Sequence, residues 1–144
     1  MAHRILVVDD DPDIIHLVKT TLMIEGYEVI TAKDGMTGTT HAMKYIPDLI
    51  ILDVMMPKMS GFQTCKAIRS QPALKNIPVI FLTAKNSDKD KDWGEKMGCD
   101  YYITKPYRPD QLLDTIKEAL KDCVPDESNR EKFDPTKSDA NWVD

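Results

Sequence analysis

The sequence LIILDVMMPKMSG at residues 49–61 decides the fold prediction. Its first four residues are all apolar, and a strand that is apolar at every position is covered on both faces, as in a parallel sheet. Two other runs have the same character, ILVV at residues 5–8 and VIFL at residues 79–82. The three runs therefore predict strands in the interior of a parallel sheet.

Five predicted strands alternate with five predicted helices along the chain. The strands are predicted at Arg4–Asp9, Tyr27–Thr31, Asp48–Asp53, Pro78–Thr83 and Tyr101–Thr104. The helices are predicted at Pro12–Glu25, Asp34–Tyr45, Gly61–Ser70, Asn86–Met97 and Pro109–Lys121, and the second and fourth have the weakest helical pattern. This alternation predicts a doubly wound α/β fold, in which a five-stranded parallel sheet lies between two helix layers.

Length and composition limit the function classes. The chain has 144 residues, the size of a single domain, and its net charge of −5 argues against a nucleic-acid-binding surface. Its apolar runs are far shorter than the roughly 20 residues of a membrane helix. Its three cysteines fit neither a disulfide framework nor a zinc site and are typical of a reducing compartment. We expect a cytoplasmic protein that neither inserts into a membrane nor contacts nucleic acid through this domain.

The chain divides into a folded body at residues 1–121 and a polar C-terminal tail or linker at residues 122–144. The tail has two prolines, few aliphatic residues and no repeating apolar period. Phe133 and Trp142 are its large aromatic residues, and either could dock on the body or on a partner. We expect either a stand-alone protein, which we favour, or a fragment whose output domain has been removed.

Polar residues follow the predicted strands at their carboxyl ends, where open parallel sheets bind ligands. The first predicted strand ends in Asp9, with Asp10 next, and the third ends in Asp53. Thr83 and Lys105 lie at the ends of the fourth and fifth. Three clustered carboxylates repel one another unless a cation joins them. Mg²⁺ prefers such oxygen ligands and often binds together with a phosphate, so the sequence predicts a magnesium site.

These residue types supply what the phosphorylation of an aspartate requires. A carboxylate beside Mg²⁺ can attack phosphorus, while Lys105 and Thr83 bind the phosphoryl oxygens. Each residue also has a purely structural interpretation: the aspartates at 9–11 can cap the following helix, and Lys105 can be an ordinary surface lysine. All of these interpretations would have to hold together, at successive strand ends, for the site to be absent.

The motifs resemble those of the receiver domain of two-component response regulators. The resemblance covers residues 3–121 and depends on the acidic pair after ILVV, on DVMMPKMSG from Asp53, on Thr83-Ala84 after VIFL and on ITKP at residues 103–106. It implies a flavodoxin-like sheet with strand order 2-1-3-4-5. It also implies a signalling switch that accepts a phosphoryl group from a histidine kinase, and not an enzyme with its own substrate.

The resemblance assigns a role to each matching position. Asp53 is the phosphoacceptor, and Asp10, Asp53 and the backbone carbonyl of Met55 bind Mg²⁺ directly, with Asp9 acting through water. Lys105 pairs with the phosphoryl group. Thr83 and Tyr102 are the switch residues, and the Lys105–Pro106 peptide bond is cis.

The family's readout surface is implied at the fourth helix, fifth strand and fifth helix, where Trp93 and Tyr107 are candidates for contact. For Trp93, packing inward is an equally open alternative. The partner there is a downstream protein, an output domain or, in a phosphorylation-dependent dimer, a second copy; otherwise the protein is a monomer. Gly38 and Tyr101 depart from the family's usual residues. Met55 and Lys85 offer no base or water-orienting carboxylate, so we expect no fast self-dephosphorylation.

Two alternatives belong to other classes. ILVVDDDPD also satisfies the aspartate-x-aspartate pattern of haloacid-dehalogenase-type phosphohydrolases, with Asp9 as nucleophile and Asp11 as acid/base. That interpretation leaves the segment around Asp53 unexplained. A flavodoxin-like nucleotide binder would need a glycine-rich phosphate loop, and the sequence has none.

Overall fold

The computed structural model describes residues 2–84 and 87–124. Its strands are β1 Arg4–Val8, β2 Glu28–Ala32, β3 Leu49–Leu52, β4 Val79–Thr83 and β5 Tyr101–Thr104. Its helices are α1 Pro12–Ile24, α2 Gly35–Tyr45, α3 Gly61–Arg69, α4 Asp88–Lys96 and α5 Pro109–Leu120. The strands form one sheet in the order β2-β1-β3-β4-β5, and every pairing is parallel. The predicted fold class and strand order are confirmed.

Two apolar cores cover the two faces of the sheet. On one face, α1 and α5 pack through side chains such as Val18, Leu22, Leu112 and Ile116. On the other, α3 packs through Cys65 and Ile68 and α2 through Ala42. Every residue of β1, β3 and β4 is buried, as their uninterrupted apolar runs predict.

Local signals set the helix ends. Asp11 and Asp34 cap α1 and α2, and Ser60 and Ser87 form capping boxes with Gln63 and Asp90. Most predicted boundaries are one or two residues too wide, and the extra residues are mostly polar residues that flank the regular elements. The second strand is predicted one residue too early: the N–H of Tyr27 still donates to Leu22 of α1, so β2 begins at Glu28.

The weakly predicted helix α2 depends on a glycine for its packing. A Cβ on Gly38 would lie 2.8 Å from Cγ2 of Val8, so the absent side chain allows α2 to approach β1. The unfavourable helix propensity of Gly38 is therefore outweighed by the packing of α2 on β1. None of the described helices has both the length and the apolar character to cross a bilayer. The predicted tail, with Phe133 and Trp142, lies outside the described residues beyond position 124.

Candidate functional site

Parallel pairing brings the residues that follow β1 and β3 side by side. Val8 is in register with Leu52, so Asp9 and Asp53 are the next positions on adjacent strands. Backbone hydrogen bonds continue one residue beyond the strands: the N–H of Asp9 donates to Ala32 and that of Asp53 donates to Val8, each at 3.0 Å. Both backbones are therefore held rigidly at the carboxyl edge of the sheet.

Three carboxylates converge at this edge. One oxygen from each of Asp9, Asp10 and Asp53 can be chosen so that all three lie within 4.8 Å of one another. Asp9 and Asp53 are buried, whereas Asp10 is exposed. The N–H of Asp11 donates to Oδ1 of Asp9 at 2.9 Å, and the N–H of Met55 donates to Oδ1 of Asp53 at 3.0 Å. These two bonds orient the buried carboxylates.

Lys105 brings a positive charge to the buried acids. Its Nζ lies 3.0 Å from Oδ2 of Asp9 and 3.8 Å from Oδ2 of Asp53. Its backbone N–H donates to the carbonyl of Thr83 at 2.8 Å, and the Lys105–Pro106 peptide bond is cis. Two buried carboxylates thus share this ammonium, with Asp10 close by.

The cluster is electrostatically unfavourable without a further cation. Burial raises the pKa of Asp9, and repulsion from Asp53 raises it further, although the Asp11 N–H and Lys105 lower it. Carboxylate oxygens in this number and proximity fit a hard divalent ion such as Mg²⁺, which offsets their repulsion. The arrangement suits a ligand whose negatively charged phosphoryl oxygens contact both a metal ion and Lys105.

The predicted switch residues lie on the neighbouring strands β4 and β5. Thr83 is buried at the end of β4 and pairs in register with Thr104. Tyr102 on β5 is half-buried, and its ring meets that of Phe81 edge to face at a centroid distance of 5.9 Å. Burial and the nearby acids, chiefly Asp90, raise the pKa of Tyr102 to about 12.

The remaining predicted positions differ in their exposure to solvent. Trp93 is 49% exposed on α4, with Nζ of Lys96 lying 5.8 Å from its ring centroid, so it does not pack inward. Tyr107 is half-buried. Met55 is exposed beside the site, and Asp11 serves as the N-cap of α1. Lys85 lies outside the described residues.

Comparisons with known proteins agree with this geometry. A family model for the response regulator receiver domain matches residues 5–117. The chain belongs to this family. A curated relative, the alkaline phosphatase synthesis transcriptional regulatory protein PhoP of Bacillus subtilis, is 42% identical over 121 residues, 84% of this chain and 50% of PhoP. The chain spans about half the length of such regulators.

Two solved receiver structures have the same fold. The chemotaxis protein CheY4 of Vibrio cholerae is 39% identical with a TM-score of 0.81, and the match covers 83% of this chain and all of CheY4. The receiver domain of a sensor histidine kinase of Pseudomonas aeruginosa is 26% identical with a TM-score of 0.79, covering 84% and 99% of the two chains. That structure contains a magnesium ion coordinated in its active-site cleft. The chain is a receiver domain of a two-component response regulator.

Sequence reasoning missed one group of residues beside the acid cluster. His16 and Lys19 on α1 and Lys33 after β2 line a cavity that also reaches Asp9 and Asp10. The helical spacing of His16 and Lys19 relative to Pro12 could have indicated a shared face. The approach of Lys33 depends on the β1–β2 pairing and has no local sequence signal.

Proposed function

We propose that this receiver accepts a phosphoryl group from a histidine kinase on Asp53 and thereby changes the surface that binds its partner. The observation that carries the proposal is the convergence of Asp9, Asp10 and Asp53 beside Nζ of Lys105. Family membership supports the same role. The chain then acts as a phosphoacceptor that promotes its own phosphoryl transfer and slow dephosphorylation.

In the proposed transfer, an oxygen of the Asp53 carboxylate attacks the phosphorus of a phosphohistidine. The new P–O bond forms as the P–N bond breaks, and the bonding electron pair leaves on the imidazole nitrogen, which is then protonated. The hydrogen bond from Met55 N–H to Oδ1 holds the carboxylate in place. Lys105 is close enough to shift from Asp53 to an incoming phosphoryl oxygen.

Mg²⁺ is the proposed cofactor, and the residues present fit it. Asp10, Asp53 and the carbonyl of Met55 would hold the ion directly, while Asp9 would act through water. When bound, Mg²⁺ supplies positive charge that offsets the carboxylates and the phosphoryl oxygens. The magnesium ion in the cleft of the Pseudomonas receiver supports this assignment.

The proposed switch uses Thr83 and Tyr102. A phosphoryl group adds about −1.5 to −2 charges and new acceptor oxygens, which bias an existing equilibrium. The hydroxyl of Thr83 would bond the phosphoryl group, and Tyr102 would turn further inward behind it. The altered surface would comprise α4, β5 and α5, on which Trp93 is exposed.

The proposed partners are a histidine kinase and, downstream, a protein or an output domain belonging to the same regulator. The coverage of about half of PhoP is consistent with an output domain, and the receiver itself would not contact DNA. The three cysteines, none of which forms a disulfide, are consistent with a cytoplasmic setting. The protein would be a monomer or a phosphorylation-dependent dimer, and the 122–144 segment would be its tail or linker.

The experiment is phosphorylation with an acyl-phosphate donor, with and without Mg²⁺, followed by mass spectrometry of the modified peptide. We expect the label on Asp53 only when Mg²⁺ is present, no label in Asp53→Asn, and normal labelling in Asp114→Asn, a matched change at an exposed position of α5. Label on Asp9 with steady turnover would instead support the phosphohydrolase alternative. A phosphorylated form that decays within seconds would contradict the predicted slow dephosphorylation.

A further inference from the structure

A cavity of about 520 Å³ opens beside the acid cluster, between α1 and the end of β2. Its volume lies within the range of about 300–1,000 Å³ that is typical of small-molecule sites. Asp9 and Asp10 form one end of the cavity, next to the proposed Mg²⁺ position. Asp53 is not part of its lining, so the cavity is separate from the phosphoryl-accepting carboxylate.

One face of α1 forms a wall of mixed character. Pro12, Ile15, His16 and Lys19 all line the cavity, and their spacing of three to four residues places them on one side of the helix. Pro12 and Ile15 supply apolar surface near the acids. His16 and Lys19 supply hydrogen-bond donors.

The opposite wall adds a second ammonium. Lys33 follows the last residue of β2 and lines the cavity from the sheet side. The two lysines and the two aspartates of the lining sum to zero charge. A divalent cation bound at the neighbouring acidic site, at the Asp9 and Asp10 end of the cavity, adds two positive charges, so the cavity becomes attractive to anions when the metal site is filled.

We propose that this cavity binds a small phosphate monoester, and that it does so when Mg²⁺ occupies the neighbouring acidic site. The phosphate lies against Lys19, Lys33 and His16, and the organic part of the ligand packs on Pro12 and Ile15. This inference depends on the magnesium site of the proposed function. It assigns the receiver a ligand site distinct from the phosphoryl-accepting site at Asp53.

The coupling between Mg²⁺ and the monoester is reciprocal, because the two binding equilibria are thermodynamically linked. If Mg²⁺ raises the affinity for the monoester, then the monoester must raise the affinity for Mg²⁺ by the same factor. A small phosphorylated metabolite would thus favour the metal-loaded receiver, which is the form that accepts a phosphoryl group. The cavity would connect the signalling site to the supply of such a metabolite.

The test is a calorimetric titration of the full chain with adenosine 5′-monophosphate, inorganic phosphate or adenosine, in Mg²⁺ and in EDTA. We expect the monophosphate to bind at least tenfold more tightly in Mg²⁺ than in EDTA, and more tightly than inorganic phosphate. Adenosine, which lacks the charge, should not bind. The titration of Mg²⁺ alone is recorded on the same samples.

Variants distinguish ligand binding in this cavity from phosphorylation at Asp53. Lys19→Gln combined with Lys33→Gln should weaken monophosphate binding at least tenfold and leave phosphorylation of Asp53 intact. Lys66→Gln combined with Lys75→Gln removes the same charge from exposed positions on the other face of the sheet and should change neither. Equal weakening by both pairs, or binding that is independent of Mg²⁺, would overturn the inference.

The two proposals fail in different ways. If Mg²⁺ binds and Asp53 is phosphorylated but the monophosphate does not bind, the cavity assignment is wrong and the proposed function stands. If Mg²⁺ itself does not bind, both the cavity assignment and the proposed cofactor are wrong.

Discussion

The two ends of the sheet both bury charged side chains, but they balance them differently. Strand β1 begins with a buried cation, Arg4, and is followed by a buried anion, Asp9. Arg4 donates from Nε to Oε1 of Glu28 and from its guanidinium to the carbonyl of Tyr45, and its backbone N–H donates to Oδ2 of Asp48. At the other end, Asp9 and Asp53 share Lys105.

A second balanced cluster lies, like that of Arg4, at the amino end of the sheet. Arg69, at the end of α3, donates to the carbonyls of Lys75, Ile77 and Gly98 and to Oδ2 of Asp100. The same Asp100 oxygen accepts the N–H of Val79, the first residue of β4. These bonds join α3, the following loop and the α4–β5 turn.

The comparison shows how the same residue types serve structure and function. At the amino end, each arginine meets carboxylates and carbonyls that satisfy its donors, so the charges stabilise the fold. At the carboxyl end, acids outnumber the cation, and burial and repulsion raise the pKa of Asp9. Excess buried negative charge lowers stability and is the feature that suits a metal-dependent phosphoryl site.

The largest expected effect is from removing the cation at the amino end. Arg4→Met leaves Glu28 and the Tyr45 carbonyl without their partner, so we expect the free energy of unfolding to fall by about 3 kcal/mol. Urea unfolding followed by circular dichroism measures it. Arg108→Met removes an arginine whose pair with Asp110 is largely exposed and should cost under about 1 kcal/mol. Equal losses of unfolding free energy in the two variants would contradict the claim that the buried Arg4 stabilises the fold more than an exposed arginine does.

A smaller loss is expected at the second cluster. Arg69→Met removes the donor from several backbone carbonyls while Asp100 stays half-exposed, so we expect a loss of about 2 kcal/mol in the same assay. The affinity for Mg²⁺ should not change, because the cluster lies at the opposite end of the sheet. A large fall in Mg²⁺ affinity would show that the two ends are not independent.

The smallest expected effect has the opposite sign. Without Mg²⁺, Asp9→Asn removes a buried charge whose pKa is raised, so the melting temperature should rise by roughly 2–4 °C at pH 7. A raised carboxyl pKa means that the folded wild type loses stability as pH rises from the ordinary value of 3.8 through the raised one. The advantage of the variant should therefore disappear in acid below that window. Differential scanning calorimetry at several pH values measures it, and a lower melting temperature at pH 7 would contradict the account.

The sequence predicts most of the fold because its strands are unusually uniform. Apolar runs such as LIIL and VIFL predict interior strands without any structural information, and the polar residues after these runs predict the candidate site. For this reason Asp9, Asp10, Asp53, Thr83 and Lys105 are predicted to converge on one edge of the sheet. The three carboxylates and the ammonium of Lys105 do so. The strand order itself came from the family resemblance.

The parts that were not predicted depend on long-range contacts. The partners of Arg4 lie 24 to 44 residues away along the chain, and no local pattern encodes them. Gly38 was a departure from the family whose reason, its approach to Val8, is visible only once α2 packs on β1. The exposure of Trp93 was likewise undecided, because α4 is mostly charged and buries little beyond Gly94.

The most direct test of the central claim compares two aspartates that flank the same strand. Asp48 precedes β3 and accepts a hydrogen bond in the balanced Arg4 cluster. Asp53 follows β3 and belongs to the acidic cluster with Asp9 and Asp10. Calorimetric titration with Mg²⁺ should give one site in the wild type and in Asp48→Asn, and at least tenfold weaker binding in Asp53→Asn. Equal Mg²⁺ affinity in the two folded variants would contradict the claim that the unbalanced acids at the carboxyl end form the metal site.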